Sequence, residues 1–129
     1  MKREYHIGIG KAYYIAMLEK RFDDMASYVH PKVNFSGPLS IMEEKQSVIE
    51  AGKEFSRLLH AIMIREALEA DNKVVLVLDM LCSDPIGKFR SVSILSFAEG
   101  LIVGIELFYD RGNVDASKKR FLGKTNFIW

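Results

Sequence analysis

The second half of the chain is confined to consecutive strands joined by very short links. Segments 61–70, 73–83, 88–98 and 101–110 are rich in Val, Ile, Leu, Phe and Tyr, and each reads as a strand. Their connections are Asp71-Asn72, Asp84-Pro85-Ile86-Gly87 and Glu99-Gly100, all built from turn-forming residues. Links this short have no room for a crossover, so the four strands follow one another as an antiparallel meander.

The first half has a different period. Ile9, Tyr13, Ala16 and Met17 recur at helical spacing, which predicts an amphipathic helix over about residues 5–21. A shorter helix follows, with Asp23 and Asp24 at its positive end, an apolar face of Met25, Tyr28 and Val29, and Pro31 as its stop. Val33 and Phe35 alternate with polar neighbours, as in a short strand. Ser40-Ile41-Met42-Glu43 has the spacing of a capping box, in which serine and glutamate satisfy orphan amides at a helix start. Behind it Val48, Gly52, Phe55, Leu59 and Ile62 form a stripe that extends this third helix to about His60. Gly52 within that stripe costs roughly 1 kcal/mol of helix propensity, which implies close packing against a neighbour. Helices first and strands afterwards make an α+β domain, with helices on one face of the sheet.

A length of 129 residues suits one domain with a core and a pocket beside it. Eighteen basic and seventeen acidic residues leave +1, so no strong field draws nucleic acid or an anionic membrane, and neither is expected as a partner. The N-terminal residues lack the apolar run of a signal peptide, and no stretch reaches the ~18 apolar residues of a membrane span. Cys82 stands alone, so no intrachain disulfide forms and a cytoplasmic setting is expected. His6, His30 and His60 are too far apart to share a metal by local spacing, and Gly8-Ile9-Gly10 lacks the strand–turn–helix context of a phosphate loop. No metal or cofactor is expected.

Three segments together resemble a known family. They are Tyr13-Tyr14-Ile15-Ala16-Met17 in the first helix, His30 to Pro38 closing on Gly37-Pro38, and the last strand ending in Tyr109-Asp110. They resemble the SnoaL-like branch of the nuclear transport factor 2-like superfamily, where ketosteroid isomerases and polyketide cyclases also belong. The likeness covers residues 5–110, with 111–129 as an added apolar tail of a single domain 1–129. It implies a cystatin-like cone, in which three N-terminal helices pack on a strongly curved antiparallel sheet and enclose a cavity. By the same likeness the last strand turns Val103, Ile105, Leu107 and Tyr109 inward, and the strand before it turns in Ser91, Ser93, Leu95 and Phe97. Met17, Phe35, Phe55, Leu59 and Val77 complete the expected lining. The strand over 73–83 offers two largely apolar sets, one with Val77 and Asp79 and one with Leu78 and Met80. A strand apolar on both faces needs two covers, and a second copy of the chain is the expected outer one.

The resemblance places Tyr14 where ketosteroid isomerase-like proteins carry a phenol that donates to the substrate oxygen. The family's base position falls on Gly37, which has no acceptor side chain, and its second oxyanion donor falls on Ser93. Asp79 is the remaining carboxylate of interest because it interrupts an apolar run. Facing the cavity, it is a base with a raised pKa. Facing out, it pairs with a cation such as Arg65. Cys82 reads as a small buried hydrophobe, His60 as a polar cap or a pocket-mouth residue, and Glu106 as a surface residue. The Phe121, Leu122, Phe127, Ile128 and Trp129 tail is expected to dock over the cavity mouth or on a dimer partner. Two functions follow. One is a binding protein with a mostly apolar cavity for a small apolar ligand. The other is a cofactor-independent isomerase, cyclase or hydratase with Asp79 as base, Tyr14 as oxyanion donor and Ser93 assisting.

Overall fold

The computed structural model describes the backbone of residues 2–110 and the side chains of 5–110, so the expected docking of the C-terminal tail lies outside the described residues. The elements are α1 (Lys2–Leu18), α2 (Phe22–Ser27), β1 (Val29–Ser36), β2 (Ile41–Met42), α3 (Lys45–Ser56), β3 (Leu59–Ala70), β4 (Lys73–Cys82), β5 (Lys88–Ala98) and β6 (Leu101–Tyr109). Three helices pack on one curved, unclosed six-stranded sheet of order β2-β1-β6-β5-β4-β3. β3 to β6 form the antiparallel meander. No helix among the described residues is long and apolar enough to cross a membrane.

The sheet is mixed rather than purely antiparallel. β1 runs parallel to β6, with Phe35 opposite Ile105 and Ser36 opposite Glu106. This pairing joins elements separated by α3 and four strands, so no short turn in the sequence announces it. The capping box is a second correction. Ile41 and Met42 pair with Ser36 and Phe35 in a hairpin closed by the Gly37 amide donating to the Ser40 carbonyl at 2.9 Å. Pairing there satisfies backbone groups and buries Met42. α3 therefore starts later, after Glu44, which gives no side-chain cap. It also ends before the expected His60, because Leu59 already lies in β3 opposite Cys82.

α1 closes with Lys20 in the left-handed region (φ 60). The Arg21 amide reaches the Ala16 carbonyl at 2.8 Å and the Lys20 amide reaches the Met17 carbonyl at 3.2 Å, the paired bonds of a Schellman end. The Lys20 ammonium then donates to the Ser56 carbonyl at 2.7 Å, tying the end of α1 to the end of α3.

In β4 the residues Val74, Leu76, Leu78, Met80 and Cys82 face the helices, and Val75, Val77, Asp79 and Leu81 face outward. β5 turns in Ser91, Ser93, Leu95 and Phe97, as expected. In β6 the register shifts beside Ser96 and Phe97, so Ile102, Ile105 and Leu107 are the buried residues and Val103 is only half-buried. The expected inward place of Val103 is thus taken by Ile102, because an irregular pair breaks the strict alternation.

Gly52 marks the close approach that its helix-breaking cost implied. A Cβ there would stand 3.2 Å from Met25 Cε and 3.3 Å from Met17 Cε. Both neighbours are flexible thioether ends that give way by a few tenths of an ångström. Gly52→Ala should therefore change stability by less than about 1 kcal/mol, the helix gain offsetting the displaced methionines. Gly52→Leu should destabilise by about 1–3 kcal/mol through overpacking, and urea denaturation of the two variants checks both.

Candidate functional site

Helix α1 packs mainly over β3 and β4, and three of its residues, four apart, reach side chains of β5 that are two apart. Four helical residues advance about 6 Å and two strand residues about 6.7 Å, so contacts recur when the helix steps by four and the strand by two. His6 stacks on Phe97 with ring centroids 4.4 Å apart. Gly10 sits where a Cβ would come within 2.9 Å of Leu95 Cδ1. Tyr14 meets Ser93, its Oη 2.7 Å from the serine Oγ. Both residues are fully buried, so the only polar rung in the middle of this ladder is closed off from water.

Burial pushes the Tyr14 phenol up to about 12, and the Ser93 hydroxyl, which favours the ionised form, partly opposes that rise. Tyr13 sits edge-on to Tyr14 at 5.2 Å, and burial, with the neighbouring Tyr14, drives its phenol higher still. Both phenols remain neutral donors across the physiological range. One pleat from Ser93, Ser91 is also buried, and its Oγ has no hydrogen-bond partner among the described residues.

Around these groups the structure buries Met17, Phe35, Phe55, Leu59, Leu95, Phe97, Ile105 and Leu107 in one apolar cluster. Tyr109 is half-buried at its edge, 5.7 Å from the Phe89 ring, which in turn lies 6.3 Å from Phe55. Phe89 was not singled out from the sequence. A groove of about 320 Å³ opens here, lined by Ser36, Gly37, Pro38, Leu107, Phe108 and Tyr109. Leu107 is the cross-strand partner of Ser93, and Tyr109 is that of Ser91. The groove wall is thus one strand away from the buried hydroxyls, about 5 Å across the ladder.

The third expected catalytic residue is elsewhere. Asp79 lies on the outer sheet face because its neighbours Leu78 and Met80 take the inner one. Arg90 grips its carboxylate through Nε at 2.7 Å and Nη2 at 3.2 Å, and Arg65 Nη1 adds a contact at 3.2 Å. The Arg90 hydrogen bonds, helped by the charges of both arginines, hold the carboxyl below its usual range, opposite to the rise expected of a cavity base. Val77 shares that outer face, so it does not line the interior. Arg90 was overlooked in the sequence, although its place opposite Asp79 follows once the turn between β4 and β5 is known.

The remaining candidates take structural places. Cys82 is buried, and burial pushes its thiol up to about 12. His60 contacts the Ser83 hydroxyl at 2.7 Å on an exposed edge, a local polar tie. Glu106 is exposed on β6. His6 Nδ1 pairs with Glu69 Oε2 at 3.0 Å at the first rung of the ladder, about 12 Å along α1 from Tyr14. Among the described residues, no three His, Cys, Asp or Glu side chains converge as metal ligands would.

Two tests address these placements. Because the Asp79 carboxyl is held low, its ionised form stabilises the fold above the ordinary carboxylate pKa, and that stabilisation is lost as pH falls through the lowered value. Asp79→Asn should therefore lower Tm at pH 7, with the gap to wild type closing toward pH 3. A higher Tm for Asp79→Asn at pH 7 would contradict the outward placement. Tyr14→Phe leaves the Ser93 hydroxyl buried without its phenol and should cost about 1–3 kcal/mol. In a double-mutant cycle, Tyr14→Phe with Ser93→Ala should cost clearly less than the two single changes added together.

By sequence alone, no family model and no curated protein matches the chain. Solved structures do match it by shape. An NTF2-like protein of unknown function from Cytophaga hutchinsonii superposes with a TM-score of 0.74 at 13% identity, covering 83% of this chain and 91% of that one. An LEH-like epoxide hydrolase from M. tuberculosis gives 0.77 at 12% identity, covering 95% and 96%. A de novo designed protein with a curved β-sheet gives 0.81 at 15% identity, covering 92% and 96%. An enzyme and a designed scaffold thus share one frame, so the likeness speaks for architecture and leaves chemistry to the side chains. The chain has the nuclear transport factor 2-like fold.

Proposed function

We propose that this protein binds a small, mostly apolar molecule whose oxygen reaches the Tyr14–Ser93 pair. The observation that carries this reading is a pair of neutral hydroxyls 2.7 Å apart, sealed among apolar side chains and one strand away from the groove at the Leu107–Tyr109 end. An apolar frame gains by leaving water, and one well-placed polar group fixes its orientation. Both hydroxyls donate and accept, so a ketone, ether or alcohol oxygen on the ligand fits the pair.

The binding reading is favoured over proton transfer by the position of the carboxylates. Asp79 is held by two arginines on the far side of the sheet, and Gly37 at the groove offers no acceptor side chain. Glu69 is engaged by His6 away from the groove end. The lone, buried thiol of Cys82 suits the reducing cytoplasm, which we propose as the compartment.

Titration with naphthalene and with 2-naphthol, followed by calorimetry, tests the site. The naphthol should bind more tightly, and Tyr14→Phe should weaken it by roughly three- to tenfold while leaving naphthalene almost unchanged. Equal affinities for the two probes, or no binding of either, would contradict the reading.

The outer sheet face is where we propose that a second copy docks. Met63, Leu68, Leu81 and Phe108 are exposed there beside the half-buried Val75 and Val77. The Arg65–Asp79–Arg90 cluster is already charge-paired within that face, so covering it strands no lone carboxylate. Sedimentation equilibrium at tens of micromolar should show a dimer that Leu81→Lys converts to monomer. A wild-type monomer at that concentration would rule the dimer out.

A further inference from the structure

A regular sheet face is even, yet the outer face holds a groove of about 370 Å³ between β3 and β4, whose lining includes Ala61, Met63, Leu81, Arg65, Asp79 and Lys88. The edge strand explains it. β3 is the last strand of the sheet, and its register on β4 shifts twice, at His60 between Leu59 and Ala61 and at Arg65 between Ile64 and Glu66. Each shift inserts one extra residue, which bends an edge strand and re-aims the side chain at that point. The groove lies between the two shifts, and the second one delivers Arg65 to Asp79.

The apolar part of the groove is open to solvent, with Met63 60% and Leu81 47% exposed. Its rim is cationic. Leu81 stands opposite Lys88 and Asp79 opposite Arg90, so Lys88 and Arg90 rise on the same face beside the groove. Asp79 is the carboxylate of the lining, and both of its oxygens are already engaged, by Arg90 and Arg65. Three cations around that single carboxylate leave the rim positive, and Lys88 has no ion pair among the described residues. Glu66 stands on the same face opposite Val77, outside the lining. Each guanidinium spends at most two of its five N–H donors on Asp79, so donors remain for a further acceptor.

We propose that this groove binds a free amphiphilic carboxylate, a molecule with one anionic head and a short apolar chain. The chain covers Met63 and Leu81 and takes hydrocarbon out of water. The head meets Arg65 and Lys88, where a planar carboxylate matches the guanidinium fork and the ammonium adds a point charge. The site is on the opposite side of the sheet from Tyr14 and Ser93 and does not depend on binding there. It lies on the face where a second copy is proposed to dock, but it rests on the groove of one copy alone. Ligand and second copy both cover Leu81, so they exclude each other, and filling the groove releases the dimer.

Octanoate and acetate are the probes, followed by calorimetry at low salt and in about 0.5 M salt. Octanoate should bind roughly tenfold or more tightly than acetate, because only octanoate brings a chain to the groove. Lys88→Gln and Arg65→Gln should each weaken octanoate roughly two- to fivefold, and high salt should weaken it too. Tyr14→Phe should leave octanoate unchanged, and Lys88→Gln should leave 2-naphthol unchanged. Octanoate that binds no better than acetate, or that ignores both cation changes, overturns the proposal. So does octanoate binding that disappears in Tyr14→Phe, which would seat the probe at the inner hydroxyls. Capture of the protein by phosphatidylglycerol vesicles without octanoate binding would make the surface a membrane contact and overturn it as well. In sedimentation equilibrium, saturating octanoate should convert a wild-type dimer to monomer, and a dimer that persists with octanoate bound overturns the exclusion. A wild-type monomer without octanoate removes the dimer reading only, and the calorimetry still decides the groove.

Discussion

The seat of α1 on the sheet is what the buried site depends on: it rests mainly on β3 and β4, and where it reaches β5 four helical residues span about the same distance as two strand residues. A helix laid along a strand in this way meets it at regular intervals, so the identity of each rung is set by residues four apart in one element and two apart in the other. Here the rungs are an aromatic stack, a glycine seat and a hydroxyl pair. Gly10 is a close seat over Leu95, Leu76 and Val74, where a Cβ would make the end of the Leu95 side chain shift. With the helix seated, Tyr14 is fully buried, and Ser93 supplies a polar contact to its hydroxyl.

The same sheet divides its chemistry cleanly between two faces. Alternation in β4 sends Leu78 and Met80 inward, which compels Asp79 outward whatever its chemical potential as a base. On that side it stands on the strand between Arg65 of β3 and Arg90 of β5 and pairs with both. The inner face is left with hydroxyl groups among hydrocarbons, an arrangement that orients a ligand and has little to pull a proton with. A site of this kind selects by shape and by the placement of oxygen atoms.

Much of this was legible in the residues. The turns at Asp71-Asn72, Asp84 to Gly87 and Glu99-Gly100 bound β3 to β6 almost as the sequence indicates, because short polar links leave few alternatives. The inward set of β5 came from the family likeness, which also put Tyr14 and Ser93 in one expected site without announcing their direct hydrogen bond. The parallel contact of β1 with β6 was not legible, since it depends on how far the sheet bends and not on any local signal. Ile41 and Met42 had the spacing of a helix start, yet tertiary pairing with Phe35 and Ser36 outweighed that local preference. The face of Asp79 turned on a register that an apolar run on both sides conceals, and the irregularity beside Phe97 moved Val103 off the inner row.

The central claim is that the buried Tyr14 hydroxyl is where a ligand oxygen arrives. Carbon-13 labelling of the tyrosine Cζ atoms, with the Tyr14 resonance assigned through Tyr14→Phe, reads that hydroxyl directly. Saturation with 2-naphthol should move the Tyr14 signal, and saturation with naphthalene should move it distinctly less, because only the naphthol brings a hydrogen-bonding partner. A Tyr14 signal that stays in place at saturating 2-naphthol, or that moves equally with both probes, would contradict the account.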